Sequence, residues 1–344
     1  MSLVSLITGI SGQDGSYLTE FLLEKNYYVW GILRKSSNID VPNLTSIINH
    51  PNLTLKYGDL LDMGILSHIL QQIKQTYPDL KRLEIYNLGA LSHVKVSFEM
   101  PEYCGNVNSL GCVRLLEAIR LCGYSDKIRF YQASSSELYG KVIEIPQTET
   151  TPFNPQSPYA ISKLYSFWMT KNYREAYNLY ACNGILFNHE SPRRDKTFVT
   201  RKITDGLNNI LKGKIEYLTL GNLNAKRDWG HAQDYIKGMW QMMQLEYPDD
   251  FVLCTGENHT VKEFIEKAFA LRGINIEWKG SDLEEIGFDS QSRKVLIKVD
   301  EKLFRPTEVD NLLGDCSKAK DKLGWTNLRS FDTLVKETVD NDCN

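Results

Sequence analysis

No stretch of this chain approaches the ~20 consecutive apolar residues that span a bilayer, so no transmembrane helix is expected. Paired cysteines are missing as well. The seven present (Cys104, Cys112, Cys122, Cys182, Cys254, Cys316 and Cys343) are odd in number, scattered and without a C-x-x-C pair, which argues for reduced thiols rather than a disulfide framework. The six histidines supply no ligand spacing either, and no metal is expected. Neither charge is in excess. With 40 Lys+Arg against 43 Asp+Glu and a net charge of -3, nothing marks the surface for nucleic acid or an anionic membrane, and a polyanionic ligand must be held by local cations. Internal repeats, low-complexity tracts and a clean Gly/Pro linker are absent too, which leaves the 344 residues as one large domain or two that share a cleft. The first expected strand starts almost at Met1, leaving no room for a signal peptide, so the expected location is cytoplasmic.

What is present begins with Gly9-Ile10-Ser11-Gly12-Gln13-Asp14-Gly15, set between an apolar strand over 3–8 and a helical run over 16–24. Glycines spaced three apart at such a junction let the backbone approach a pyrophosphate, whose charge the helix N-terminus stabilises. Further apolar strands are expected over 27–33, 53–57, 83–88, 128–133 and 180–186, with helices over 63–75, 106–121 and 159–177 between them. Five crossovers predict an α/β fold built on a doubly wound parallel Rossmann sheet. After residue 187 the pattern changes to mixed short elements, with one helix over 200–211. We expect a smaller interleaved α/β substrate domain: residues 1–187 with about 224–256 bind the dinucleotide, and about 188–223 with 257–344 bind the substrate.

The strand ends supply the candidate chemistry. Arg34-Lys35-Ser36-Ser37 follows the second strand, where two cations and two hydroxyls suit a 2′-phosphate and so point to NADP. Asp40 is the feature that favours NAD. At the third strand's end, Asp59 and Leu60 are placed to meet adenine. At the fourth, Leu88, Gly89 and Ala90 let a dinucleotide pass close, with Ser92 beyond and His93 given no chemistry. The fifth strand delivers Ser134-Ser135-Ser136-Glu137 to the crevice beyond the sheet's carboxyl edge. A Pro/Thr/Asn-rich stretch over 144–158 reads as a loop over that crevice. Tyr159 and Lys163, four apart on a helix, place an ammonium near a phenol and favour the phenolate. Moving a phenol from about 10 toward 7 takes several steps of about 1.4 kcal/mol, more than one lysine supplies, so a cationic nicotinamide ring is expected beside it. Taken singly, each feature also fits an ordinary turn, helix pair or salt bridge; their occurrence in this order makes coincidence improbable.

Together with Tyr159-Ala-Ile-Ser-Lys163, the segments 8–18, 87–94, 132–140, 220–231 and 304–310 run nearly end to end. On them the chain resembles the extended short-chain dehydrogenases/reductases, most closely their GDP-mannose 4,6-dehydratase family. The resemblance implies oxidation of GDP-mannose at C4 by Tyr159 and NADP, elimination of water across C5/C6 with Glu137 as base, and return of the hydride to C6. Lys163 then also binds the nicotinamide ribose. Ser135 stands where relatives usually carry threonine, keeping the hydroxyl that can bond the C4 oxygen while losing a methyl that restrains its rotamer. The resemblance further implies Tyr103, His189 and Arg194 around the cofactor, Arg227 and Arg305 on the diphosphate, and Asn188 and Glu308 on sugar or ribose hydroxyls. Because Arg194 can reach a neighbouring subunit's cofactor, a homodimer or homotetramer is expected. An enzyme holding NADPH beside a 4-keto sugar also has the groups to reduce it, so secondary reduction of the product is a further expectation. The rival readings are another nucleotide-sugar dehydratase or a 4-epimerase, which needs no group at C5, and a non-catalytic NADP-binding sensor, which needs no intact Tyr/Lys pair.

Overall fold

The structure, a computed structural model, describes residues 1–35, 41–304, 306, 307, 309 and 311–343. Six strands follow the expected pattern: β1 (Ser2–Thr8), β2 (Tyr28–Leu33), β3 (Leu53–Tyr57), β4 (Leu80–Asn87), β5 (Ile128–Ser135) and β6 (Tyr180–Leu186). With Phe251–Leu253 they make a seven-stranded sheet in the order Phe251–Leu253, β6, β5, β4, β1, β2, β3, and every pairing is parallel. A parallel sheet is covered on both faces, so its strands read as nearly continuous apolar runs. Alternate residues go to opposite sides. Val4, Leu6, Leu83 and Ile85 pack under the helices Met63–Thr76 and Gly111–Leu121, whereas Ile7, Tyr86 and Tyr131 pack under Gln13–Glu24 and Ala232–Met242. The seventh strand, only three residues long, was too short to show a period.

Two local expectations change. The stretch 106–121 is not one α-helix but a π turn (Asn106–Leu110) followed by Gly111–Leu121. The wider turn shifts the phase, so Leu110 is exposed while Cys112, Leu115, Leu116 and Ile119 face the core. The loop over 144–158 lines no part of the cleft described below. Buried Gln147 fastens it elsewhere, donating from its amide to Leu313 O (2.8 Å) and accepting from Asp315 N (2.8 Å).

The second region has its own core. Helices Val199–Leu211, Val261–Ala270 and Phe331–Asp342 share a cluster built on Ile203, Leu207, Phe264, Phe269, Leu334 and Val335. A four-stranded sheet lies with them, ordered Ile276–Lys279, Ile286–Asp289, Val295–Val299, Leu218–Leu220. The stretch from Val309 to Trp325, placed with this region on sequence, sends Val309, Leu312, Cys316, Ala319 and Trp325 into the dinucleotide-side core instead. Trp325 is the anchor: its indole donates to Asp234 O at 2.7 Å and occupies space that a Cβ on Gly238 would invade at 2.9 Å. Among the described residues no helix is long and apolar enough to cross a membrane.

Candidate active site

The site forms where the strand order reverses between β1 and β4. Gly9 leaves β1 at φ +70, and a Cβ on it would lie 2.9 Å from Gly89 N and Cα. The two loops therefore touch backbone to backbone. A Cβ on Gly15 would lie 2.3 Å from Gly9 O, so the helix seats directly on the turn. Gly12 caps helix Gln13–Glu24 with no side-chain hydrogen bond, which leaves the first N–H groups of the helix to an anion. Thr8 Oγ1 fixes the strand ends, accepting from Gly89 N at 2.9 Å and donating to Asn87 Oδ1 at 2.8 Å. Asn87 Nδ2 continues the chain to Gln132 Oε1 at 2.8 Å. Turns packed so closely that a Cβ at Gly9 or Gly15 would strike backbone, beside a helix start with no side-chain cap, fit a dinucleotide.

The expected adenosine end is assembled from distant residues. Arg34 Nη1 donates to Tyr103 Oη at 2.7 Å, joining two candidates 69 positions apart. Asp59 Oδ1 accepts from Leu61 N at 2.9 Å, and Leu60 is buried. Ser36 and Ser37 lie outside the described residues. Leu88, Ala90 and Ser92 continue along a cleft of about 360 Å³.

Helix Pro158–Tyr177 starts sharply because Ser157 accepts from Ala160 N at 3.1 Å and proline takes the first position. Tyr159 N donates to Ser97 Oγ at 3.1 Å, which pins the first turn. Tyr159 and Lys163 both line the cleft and are 9% and 4% exposed. At the end of β5, Ser135 Oγ accepts from Glu137 N at 3.2 Å, turning Glu137 into the same cleft. The phenol does not behave as the spacing suggested. Burial pushes Tyr159 up to about 12; the Ser135 hydrogen bond lowers it, the Glu137 charge raises it, and Arg194 lowers it. Lys163 contributes little because its Nζ donates to Ala133 O at 2.8 Å and sits 6.0 Å from the Tyr159 ring centre. Burial also brings the Lys163 ammonium down to about 8. The spacing brought the pair to one face; burial, which spacing does not report, set the titration.

Beside the Gly9–Gly15 turn, His189 Nε2 meets Asp14 Oδ2 at 2.9 Å and Nδ1 meets Phe187 O at 2.8 Å, two acceptors that a protonated ring satisfies together. Burial works against both charges, yet the pair prevails: Asp14 falls to about 2, and His189 rises above its ordinary value. Gln13 joins in, donating to Asp14 Oδ1 (2.9 Å) and to His189 O (3.0 Å). Arg194 faces the cleft, lying 3.7 Å from the Phe198 ring centre and 3.3 Å from Glu190 Oε2.

Asn188 and Arg227 also line the cleft. Asn188 Oδ1 is buried with no hydrogen-bond partner among the described residues, and Arg227 Nη1 donates to Lys226 O at 2.9 Å. Arg305 and Glu308 lie outside the described residues. Two cations that sequence reasoning missed also line the cleft, Lys95 and Lys202. Burial, then the Lys95 charge, lowers the Lys202 pKa, while Asp300 raises it. A signal existed: Lys202 follows Val199 by three and precedes Gly206 by four, so it interrupts the inward face of its helix. His93 caps helix Val94–Glu99, accepting from Val96 N at 3.3 Å, and packs on Phe198 at 5.4 Å between centroids, which brings the two lysine-bearing helices together.

The described residues thus combine a doubly wound parallel sheet, close-packed glycine turns at the strand reversal and a buried Tyr-x-x-x-Lys beside a serine and a glutamate. The family description GDP-mannose 4,6 dehydratase matches residues 6–338. The chain is 57% identical to the GDP-mannose 4,6 dehydratase of Dictyostelium discoideum, covering 98% of this chain and 95% of that protein. It is 54% identical to that of Homo sapiens, covering 98% and 91%. The chain belongs to the GDP-mannose 4,6-dehydratase family. Solved structures share its fold at lower identity: a dTDP-glucose 4,6-dehydratase from Streptomyces venezuelae with NAD and TYD bound (TM-score 0.80, 23% identity, 98% of this chain and 96% of that one), and RMD from Pseudomonas aeruginosa with NADPH (TM-score 0.75, 19%, 99% and 99%).

Proposed function

We propose that the chain converts GDP-mannose to GDP-4-keto-6-deoxymannose and water, with NADP as its cofactor. The observation that carries this reading is that Ser135, Glu137, Tyr159 and Lys163 open into one cleft beside the Gly9/Gly89 cradle. A nicotinamide held beside Tyr159 and Lys163 would supply the acceptor for the C4 hydride and its donor to C6, and a positive charge that would favour the tyrosinate against the burial of the phenol. Tyr159 removes the proton from the C4 hydroxyl, and Ser135 Oγ holds the oxygen. The C4 ketone acidifies the neighbouring C5 proton; Glu137 removes it and passes it to the departing C6 hydroxyl, which leaves as water, and after hydride addition at C6 the proton that Tyr159 took from the C4 hydroxyl balances reprotonation of C5. Arg194 and the His189–Asp14 pair border the cofactor, while Arg227, Lys95, Lys202 and Asn188 hold the sugar nucleotide, with Arg305 and Glu308 assigned to the same end. A 4-epimerase has no work for Glu137, which favours dehydration.

NADP is preferred over NAD because Arg34 and Lys35 follow β2 where NAD enzymes place an acid. The domain division is read as residues 1–187 with about 224–256 for the dinucleotide and most of the remainder for the sugar nucleotide. Ile161, Tyr165 and Trp168 form an exposed stripe on helix Pro158–Tyr177, which supports a homodimer or homotetramer; we place the enzyme in the cytoplasm. The same groups serve a slow NADPH-dependent reduction of the 4-keto product, which NADPH consumption with purified product tests. For the main reaction, incubation with GDP-mannose should yield a nucleotide sugar lighter by one water in mass spectrometry. Recovery of unchanged substrate, or of a C4 epimer of equal mass, overturns the reading.

A further inference from the structure

The loop Ser191–Asp195 carries Arg194 into the cleft, and the reading above depends on where that guanidinium points. Its own contacts are few: the Phe198 face, the Glu190 carboxylate at 3.3 Å, and no hydrogen bond from Nε among the described residues. Its charge nevertheless acts on both Tyr159 and Asp14. The first part of the loop is tied to helix Gln13–Glu24, Ser191 Oγ donating to Gln13 Oε1 at 2.8 Å and Arg193 to Ser16 Oγ and Glu20 Oε1 at 3.1 and 2.7 Å, and these bonds leave the Pro192 and Arg194 carbonyls to another donor.

The donor to those two carbonyls is Arg201, 5% exposed in helix Val199–Leu211. Nη1 donates to the carbonyls of Pro192 and of Arg194, the latter at 2.8 Å. Nε and Nη2 donate to Asp342 Oδ2 and Oδ1 at 2.9 and 2.6 Å, a fork on one carboxylate of helix Phe331–Asp342. Thr204 Oγ1 donates to the same carboxylate at 2.5 Å. One planar guanidinium therefore spans the loop and the C-terminal helix, and lysine, with a single ammonium, cannot serve all these acceptors in fixed directions. The pair lies outside the cleft lining and touches none of the reacting groups.

We propose that Arg201 and Asp342 are positioning residues for the dinucleotide site: the ion pair locks Arg201, and Arg201 holds the Pro192 and Arg194 carbonyls so that the Arg194 side chain meets the cofactor beside Tyr159. This rests on the reading of Arg194 as a cofactor residue. It makes the end of the last helix part of the active site's support, some 150 positions from the loop it steadies.

The test is a double-mutant cycle on NADPH binding, followed by nucleotide fluorescence with no sugar present, so that it is independent of dehydration. Arg194→Ala should raise the dissociation constant about tenfold. Arg201→Lys and Asp342→Asn should each raise it several-fold in wild-type background and leave it unchanged when Arg194 is already alanine. Turnover at saturating NADP should recover in Arg201→Lys and in Asp342→Asn, giving an effect on KM for the dinucleotide rather than on kcat. If Asp342→Asn does not fold, Asp342→Glu, which keeps the charge and shifts the carboxylate by one methylene, takes its place in the cycle. Losses that multiply across the cycle, or thermal destabilisation with unaltered NADPH affinity, overturn the proposal. An unaltered affinity in Arg194→Ala itself overturns the underlying assignment of Arg194 instead.

Discussion

The two ends of the cleft are built from different materials. At the end we assign to the dinucleotide the close packing is main chain: Gly9 against Gly89, Gly15 against the Gly9 carbonyl, and a helix start with no side-chain cap. At the end we assign to the sugar nucleotide it is side chain: Arg227, Lys95, Lys202 and Asn188, brought in by four separate segments. The difference teaches how a chain with a net charge of -3 receives two anionic ligands. On the proposed reading, one is met by backbone N–H dipoles with Arg34 and Arg194 added, the other by side chains alone, most of them cations gathered locally.

The largest effects should come from the groups between the two ends. Tyr159→Phe and Glu137→Gln should each lower turnover by about 10² to 10⁴, but at different steps. In a single turnover with bound NADP, the Glu137 variant should reduce nicotinamide partially without losing water, and the Tyr159 variant should do neither. Exchange of the C5 hydrogen with deuterated solvent at the wild-type rate in Glu137→Gln assigns the base elsewhere.

Removing one cation at each end should separate the ligands. Arg34→Ala should weaken NADP by roughly 1.5–3 kcal/mol, the worth of a charge-assisted hydrogen bond, while hardly changing NAD. Lys202→Ala should raise KM for GDP-mannose by a comparable factor and spare the dinucleotide. Titration calorimetry that found both ligands weakened equally by either change would break the comparison.

A backbone edit should follow the dinucleotide alone. Gly9→Ala forces a Cβ into the positive-φ region and onto Gly89, a strain of about 1–3 kcal/mol, so both stability and NADP affinity should fall. Gly12→Ala, whose Cβ would stand 3.3 Å from Gly9 O, should be milder in denaturant unfolding. The reverse ranking contradicts the cradle.

The smallest effect is a pH profile. Asp14, lowered to about 2, adds stability above its ordinary 3.8 and loses it as pH falls through 2; His189, raised, adds stability below its ordinary 6.5 and loses it as pH rises through its folded value. The pair's contribution, on the order of 1 kcal/mol, should therefore be level between about pH 4 and 6.5 and shrink above. The difference in Tm between wild type and His189→Gln measures it; a difference that grows with rising pH contradicts the ion pair.

How much of this was readable beforehand follows the same division. Six of the seven strands and the Gly9–Gly15 turn were legible because each is a local pattern: a buried apolar run, or glycines where the backbone must come close. The π turn at Asn106–Leu110 was not, since one extra residue leaves the apolar spacing intact while rotating Leu110 outward. Nor was the return of Trp325 to the dinucleotide-side core, which depends on the space left by Gly238.

By itself the sequence determined which side chains stand at the strand ends, that Tyr159 and Lys163 share a helical face, and, through its resemblance, which family the chain joins. Only the tertiary structure decided what those groups experience. Burial raises the Tyr159 phenol and sends Lys163 to the Ala133 carbonyl; packing of His93 on Phe198 draws Lys95 and Lys202 into one cleft; and Arg34 finds Tyr103 across 69 residues. Helical period and strand alternation are properties of a few consecutive residues, whereas desolvation and charge convergence depend on segments far apart in the chain, and these come together only when the core closes.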